Sequence, residues 1–341
     1  MKPEYVINSY DIEPYVSVII PTYNRSHLLI LTVRSFIEQN YDKERFEIII
    51  ANNNSTDNTS EIINNLVKES PISIRHIMEK RQGVHYARNT AAKIAAGDIL
   101  YYTDDDMIAD KNLLREIVKV FTFDQNIGTA TGMIIGKFDD SPPQWVKKHL
   151  INAYLSLTDE KRNEELIITP EDLVYSCHQA IRKDVFFSAG GFNPENTAGT
   201  WIGDGETGLN LKIKKLGYKF AYTSKSIIYH IIPKQRTTLK YLIKRIGNQG
   251  FCDSYTEYRK HRDKRNIIPI MIKRNTIGFL KTLFLTTAKI FLGKLSWRFL
   301  PANIMYFCKR NVYDFKLYTN ESFREIVEID DWMNNERVIN F

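Results

Sequence analysis

The sequence has 341 residues, 43% apolar and 26% charged, with a net charge of +7; this excludes a disordered or low-complexity chain and suffices for one large α/β domain with an appendage, or for two domains. Cys177, Cys252 and Cys308 are too few and too widely spaced for a disulfide framework or a zinc site, so a reducing cytosol is the expected compartment. Residues 1–232 carry 26 Lys and Arg against 30 Asp and Glu, residues 233–310 carry 18 against 3, and residues 311–341 carry 3 against 7, so the basic character belongs to one segment with its own partner or surface.

Met1-Lys2-Pro3-Glu4-Tyr5 lacks the apolar core of a signal peptide. Tyr15 to Pro21 predicts a buried strand ended by proline, and Leu28 to Gln39 a helix with Ser26 as its N-cap. Phe46 to Ala51 predicts a second strand, Asp57 to Val67 a helix, Ile72 to Met78 a third strand, Val84 to Ala96 a helix, and Ile99 to Thr103 a fourth strand. This alternation implies right-handed βαβ units and a largely parallel sheet. Ile127 to Ile135 predicts another strand, and residues 137–169 an excursion of loops and short helices. Val174 to Arg182 reads as extended, Gly190 to Pro194 as a turn, and Thr207 to Leu216 as a helix closed by Gly217. Two short strands, Phe220 to Tyr222 and Ile227 to Ile232, precede a mainly helical, basic region and a mainly acidic tail.

Ligands of parallel sheets bind beyond the carboxyl ends of the strands. Pro21-Thr22-Tyr23-Asn24, Asn52-Asn53-Asn54-Ser55 and Asp104-Asp105-Asp106 all fall there. Three consecutive carboxylates repel one another and lose hydration unless a cation or donors compensate. Oxygen ligands of this kind suit Mg2+ or Mn2+, which bridge carboxylates to diphosphates. Taken alone, the triplet reads equally as a solvated acidic turn or a helix N-cap.

In their order these segments resemble glycosyltransferase family 2, with its nucleotide-diphospho-sugar transferase (GT-A) fold, over residues 15–250. Val16 to Arg25 resembles the family's first strand and nucleotide loop, and Asn52 to Thr59 its second-strand signature. Arg81-Gln82-Gly83, Ala87 to Ala91 and Ala96-Gly97-Asp98 are similar to the segment leading to its acidic DxD motif. The resemblance implies an α/β, Rossmann-like GT-A domain over 1–236, with a nucleotide half of about 15–106 and an acceptor half of about 107–236. A basic helical extension at 237–310 and an acidic tail at 311–341 follow.

By the same resemblance, Pro21, Tyr23, Asn24, Asn52 and Asn54 belong to the nucleotide pocket, although the family usually carries aspartate where this chain has Asn52. Asp106 is assigned to Mg2+ or Mn2+, and Asp104 and Asp105 to the nucleotide side. Arg81 and Arg88 are expected near the phosphates, where a planar guanidinium makes paired contacts, with a helix-surface salt bridge the competing reading for Arg88. Alignment on Leu209 and Lys212 puts Glu206 at the family's catalytic base, with Asp204 second. His230 resembles an additional metal ligand. Trp201, Gly191 and His178 are expected on the acceptor or sugar side, with a core position the competing reading for Trp201 and His178. The implied reaction is inverting transfer from a nucleotide-diphospho-sugar, a UDP-sugar first, to a glycan or lipid-linked acceptor in surface glycan or polysaccharide assembly.

The alternatives are a nucleotidyltransferase and a non-catalytic sugar-nucleotide-binding scaffold. A processive synthase is disfavoured, because spanning helices and the family's Gln-x-x-Arg-Trp signature are missing from the sequence. Asn266 to Lys309 mixes Ile, Leu and Phe with Lys and Arg. The expected partner is an anionic membrane surface on the cytoplasmic side. A helical lid or an oligomer interface is the competing reading, and nucleic acid is not expected.

Overall fold

The structure, a computed structural model, describes residues 13–149, 154–158, 161–197, 199–261 and 268–335. Met1–Tyr5, parts of the 137–169 excursion and the end of the acidic tail lie outside the described residues.

The strands β1 (Val16–Thr22), β2 (Phe46–Asn52), β3 (Ser73–Met78) and β4 (Ile99–Thr103) are linked by α1 (Ser26–Ile37), α2 (Thr59–Glu69) and α3 (Val84–Ile94). They lie in the order β3-β2-β1-β4, all parallel. Every residue of β1, β2 and β4 is buried. Such strands read as unbroken apolar runs because helices cover both faces. Alternate residues still divide between two cores. Val16, Val18 and Ile20 join one cluster, while Ile19, Ile49 and Ala51 join the other. Ser26 is the first residue of α1 rather than its cap; its hydroxyl donates to Asn58 Oδ1 at 2.9 Å, and Arg25 stands at the cap position.

After β4 the chain forms β5 (Met107–Ala109), α4 (Leu113–Phe123), β6 (Ile127–Phe138), α5 (Gln144–His149), β7 (Ile167–Ile168), β8 (His178–Arg182) and α6 (Lys183–Ser188). A small hairpin of β9 (Asn196–Thr197) and β10 (Thr200–Trp201) leads to α7 (Glu206–Lys215) and β11 (Lys219–Ile232). β8 runs antiparallel between β4 and β6, and β11 pairs parallel with β6 and antiparallel with β5 and β7. Six of the nine strands thus share one direction, and the sheet is mainly parallel. The two strands expected over 220–232 are one, with a register shift between Thr223 and Ile227. A bulge of this kind breaks the apolar alternation that would have joined them.

The chain continues through α8 (Leu239–His261), α9 (Ile268–Lys273), a π-helical turn at Arg274–Gly278, α10 (Phe279–Phe291), α11 (Phe299–Thr319) and α12 (Glu321–Val327). The charge-based boundary at 236 is not a break in packing. Leu242 and Ile246 of α8, with Phe299 and Ala302 of α11, are buried in the same core as Val16 and Ile48. No boundary falls at 310 either, because α11 runs through it. Beyond α12 the backbone N–H of Trp332 donates to Gly190 O at 2.9 Å, and Met333 is buried in the core that contains Phe192 and Leu209. Among the described residues, no helix is long and apolar enough to cross a membrane.

Candidate active site

The carboxyl ends of β1 and β4 open on a cavity of about 430 Å3, lined in part by Pro21, Tyr23, Arg25, Asp104, Asp106 and Arg236. A second cavity of about 210 Å3 shares Val84, Asp104 and Glu195 with the first and is closed by Arg88, Glu206 and Arg245. α8, from the basic segment, supplies Arg245, Gln249 and Cys252 to this second wall.

The three carboxylates occupy different environments. Asp105 accepts from Thr22 Oγ1 at 2.8 Å and from Arg25 Nη1 at 3.0 Å. Burial pushes its carboxyl up to about 6, against the pull of Arg25. Asp105 lines the first cavity beside Asp104 and Asp106, with both of its oxygens held by Thr22 and Arg25. Asp106 Oδ2 receives Arg236 Nη2 at 2.8 Å and Arg25 Nη1 at 3.2 Å. Its Oδ1 is buried with no hydrogen-bond partner among the described residues. Asp104 is one-third exposed and pairs with Arg88.

His230 sits on β11 beside Asp106, its Nε2 3.8 Å from Asp106 Oδ2. Arg236 Nη1 donates to that Nε2 at 2.6 Å, so Nδ1 carries the proton donated to Leu155 O at 2.9 Å. Burial lowers the pKa of His230, opposed by the Asp106 charge. The orphaned Asp106 Oδ1 fits a hard divalent cation, whereas the His230 Nε2 lone pair is engaged by Arg236 and becomes a ligand only when that guanidinium turns away. Among the described residues no group of three or more His, Cys, Asp or Glu could hold a metal. The protein side of the site is therefore sparse, as Mg2+ and Mn2+ tolerate when phosphates and waters complete the shell.

Glu206 opens α7 at the second cavity. Its Oε2 accepts from Ser176 N at 3.2 Å and from the Ser176 hydroxyl. The Ser176 hydroxyl oxygen accepts from Arg88 Nη1 at 2.8 Å, and Arg88 Nη2 pairs with Asp104. Asp104, Arg88, Ser176 and Glu206 thus form one continuous polar chain between the cavities. Arg88 is buried, its guanidinium 5.3 Å from the Phe192 ring centre, rather than on a helix surface. Asp204 also borders this cavity, but Asn193 Nδ2 and Thr256 Oγ1 each donate to it at 2.8 Å. Burial raises its pKa. With both oxygens engaged, it braces the wall rather than offering a free lone pair.

Other expected residues fall outside the cavities. Asn52 is fully buried; it accepts from Ser55 N and donates to Ser60 Oγ, each at 2.9 Å, closing its own turn. Asn24 and Asn54 hold left-handed backbone (φ 53° and 64°), and Asn24 Oδ1 accepts from Thr56 N at 2.8 Å. Arg81 makes a two-pronged contact with Glu79 and lies over Tyr86, and it lines neither cavity. Gly191 has φ 70°, and a Cβ there would come within 2.7 Å of Met333 Sδ and 2.9 Å of Asn89 Oδ1. Its smallness serves the C-terminal tail rather than a sugar. Trp201 stacks on Phe251 at 5.6 Å, within the helical cluster.

His178 is a core residue. Its Nδ1 accepts from Tyr101 OH at 2.6 Å, and its Nε2–H donates to Ser226 O at 3.1 Å. Burial lowers its pKa to about 4 from the ordinary 6.5. As pH falls, the unfolded chain therefore takes up this proton first. The contribution is intact above pH 6.5 and is lost as pH approaches 4, amounting to about 2 kcal/mol between pH 7 and 5. Urea unfolding at the two pH values should show the wild type losing about that much more than His178→Gln; equal losses would contradict it.

Several residues here carry no local sequence signal. Arg25 follows the Tyr23-Asn24 loop directly and Arg236 follows His230 by one turn and a strand end, yet neither spacing alone marks a carboxylate partner. Glu195 and Arg245 approach only through the tertiary fold. Burial raises the Glu195 pKa, opposed by the Arg245 charge, and its Oε1 accepts the Cys252 thiol at 3.2 Å.

A parallel-sheet nucleotide crevice with an acidic cluster at the end of β4 and a second carboxylate at the start of α7 defines a GT-A-type sugar transferase. The family described as glycosyl transferase family 2 matches residues 17–187, and the chain belongs to that family. An uncharacterized glycosyltransferase, YfnE, from Bacillus subtilis is 30% identical over 176 residues, covering 52% of this chain and 41% of that protein. A Campylobacter jejuni protein named GalNAc(5)-diNAcBac-PP-undecaprenol beta-1,3-glucosyltransferase is 35% identical over 95 residues, covering 27% of this chain and 30% of its own length. The chain therefore spans less than half the length of either relative. The fold matches a mannosyltransferase from Pyrobaculum calidifontis, solved with GDP-Man and Mn2+, with a TM-score of 0.59 and 16% identity over 92% of this chain and 91% of that one. The enzyme class is glycosyltransferase, with a GT-A fold and C-terminal helices.

Proposed function

We propose that this enzyme moves a sugar, with inversion, from a nucleotide-diphospho-sugar to an acceptor hydroxyl in surface glycan or polysaccharide assembly. The observation that carries this reading is the polar chain Asp104–Arg88–Ser176–Glu206, which ties the acidic donor cavity to a carboxylate in a second, adjoining cavity. Tyr23, 47% exposed, and Pro21 offer the base an apolar surface at the mouth of the first cavity. Arg25 pairs with Asp105 and Asp106, Arg236 with Asp106, and both supply guanidinium groups to the diphosphate side. Asp106, joined by His230 once Arg236 turns from its Nε2 to the diphosphate, would hold Mg2+ or Mn2+, which would neutralise charge on a leaving nucleoside diphosphate.

Glu206 is the base. Its carboxylate takes the proton from the acceptor hydroxyl as that oxygen bonds to the anomeric carbon and the bond to the diphosphate breaks on the opposite face. Ser176 holds one carboxylate oxygen and leaves the other for the acceptor. The polar walls of the second cavity suit a glycan hydroxyl, and a lipid-linked glycan is the acceptor proposed. The work is placed in the cytoplasm or on the inner face of the membrane. Incubation with Mn2+ and a panel of UDP- and GDP-sugars should raise the melting temperature with one donor, a UDP-sugar first, and release its nucleoside diphosphate on addition of acceptor glycans. No stabilisation and no turnover with any donor would remove the reading.

A further inference from the structure

α10 packs by one side only. Thr286 is buried, Asn303 Nδ2 donates to Thr286 Oγ1 at 2.8 Å, and the Phe279 ring meets Phe307 of α11 at 5.3 Å. The other side carries Leu280, Phe284 and Phe291, exposed by 62, 72 and 87%. At 100° per residue these three lie within about 40° of one another, a narrow stripe. Ile277 precedes it at 58% exposure, and Leu292 and Trp297 follow at 67 and 55%. Isolated exposed apolar residues are ordinary on a protein surface, but an aromatic ridge of this length on one helix and its flanks marks an interaction face.

The charges around it select the partner. Residues 266–300 contain no Asp or Glu and six Lys or Arg. Arg274 is tied to Asp314, and Arg298 lies over Trp145 and Trp297. Lys281, Lys289 and Lys294 are exposed and make no ion pair among the described residues; by the same rotation Lys281 lies about 60–100° from the ridge, whereas Lys289 falls about 140–180° away. Lysine stems beside an apolar ridge can cover it while their ammonium groups reach outward. A second copy of the chain meeting this face would bring like charges together. Since α10 has 13 residues and no described helix can cross a membrane, the face suits a position in the plane of the headgroups.

We propose that the Leu280–Phe284–Phe291 ridge, with Lys281 and the following Lys294, docks the enzyme on a bilayer containing anionic lipid. The inference rests on the glycosyltransferase reading for its purpose, delivery of a lipid-linked acceptor. α8 walls the second cavity and shares the buried core with α11, on which α10 sits.

The test is flotation of the full chain with vesicles of phosphatidylcholine alone or with about 30% phosphatidylglycerol. Most of the protein should float with the anionic vesicles at low salt, and at least about tenfold less with neutral vesicles or in 0.5 M NaCl. Phe284→Ser combined with Phe291→Ser should lose at least about tenfold of the binding with the melting temperature and the donor-induced shift unchanged, since both side chains are exposed. Lys281→Glu with Lys294→Glu should remove the anionic preference. Absence of flotation, wild-type flotation of the phenylalanine variant, or a dimer in light scattering that this variant dissolves would overturn the proposal. Donor binding is read separately, so a failed docking face and a failed glycosyltransferase reading are distinguishable.

Discussion

Glu206→Gln is expected to lower kcat by about 100-fold or more, with donor affinity and melting temperature close to wild type. The amide keeps an oxygen for Ser176 N–H and the Ser176 hydroxyl, so the start of α7 and the polar chain to Arg88 and Asp104 remain in place. What disappears is the lone pair that accepts a proton at neutral pH, and a 100-fold loss corresponds to about 2.7 kcal/mol of transition-state stabilisation. Single-turnover transfer measured beside calorimetric donor binding separates the two. A variant that turns over within tenfold of wild type would move the base elsewhere. Asp204→Asn is the contrasting case: both Asp204 oxygens already hold donors, so an amide N–H must face one of them, and the loss should appear first in stability.

Asp106→Asn is expected to abolish the metal-dependent part of donor binding and to reduce transfer by about 100-fold or more. In the wild type, EDTA should produce the same loss, reversed by Mn2+ or Mg2+. The variant should respond to neither the chelator nor the ion. Folding should survive, because an amide oxygen can still accept from Arg25 and Arg236. Titration calorimetry of the donor with and without Mn2+ gives the answer, and equal metal enhancement in variant and wild type would remove Asp106 from the site. His230→Gln tests the neighbouring ligand in the same assay, and a smaller loss is expected there because the carboxylate carries the charge.

The parallel half of the fold was legible because buried strands between helices are written as Val and Ile runs, and Pro21, Asn52 and Thr103 mark where those runs stop. The segments around β8 and β11 were harder to read. β8 is antiparallel inside a mainly parallel sheet, and the bulge in β11 disguises one long strand as two. The acidic cluster and Glu206, picked out by local order, line the two cavities. Glycine and histidine roles were not legible, since they depend on what arrives from far away in the chain. Gly191 resembled a place for sugar, but Met333 fills the space. His178 and His230 each follow an apolar run, and only the tertiary fold puts one against Tyr101 and the other against Asp106. Charge along the sequence marked the region after 236 as separate, whereas apolar contacts hold α8 and α11 in the main core.

The docking of Trp332 and Met333 onto the Gly190–Gly191 loop has a consequence for how the enzyme is made. The loop leaves the ribosome long before its covering residues; at 5–20 residues per second the interval is about 10–30 s. During that time the neighbouring core containing Phe192 and Leu209 lacks Met333, and Lys212 lacks the Asp330 carbonyl that it meets at 3.3 Å. Closure of that core therefore waits for translation of residues 330–333, and until then the Gly190–Gly191 loop borders an open apolar seam.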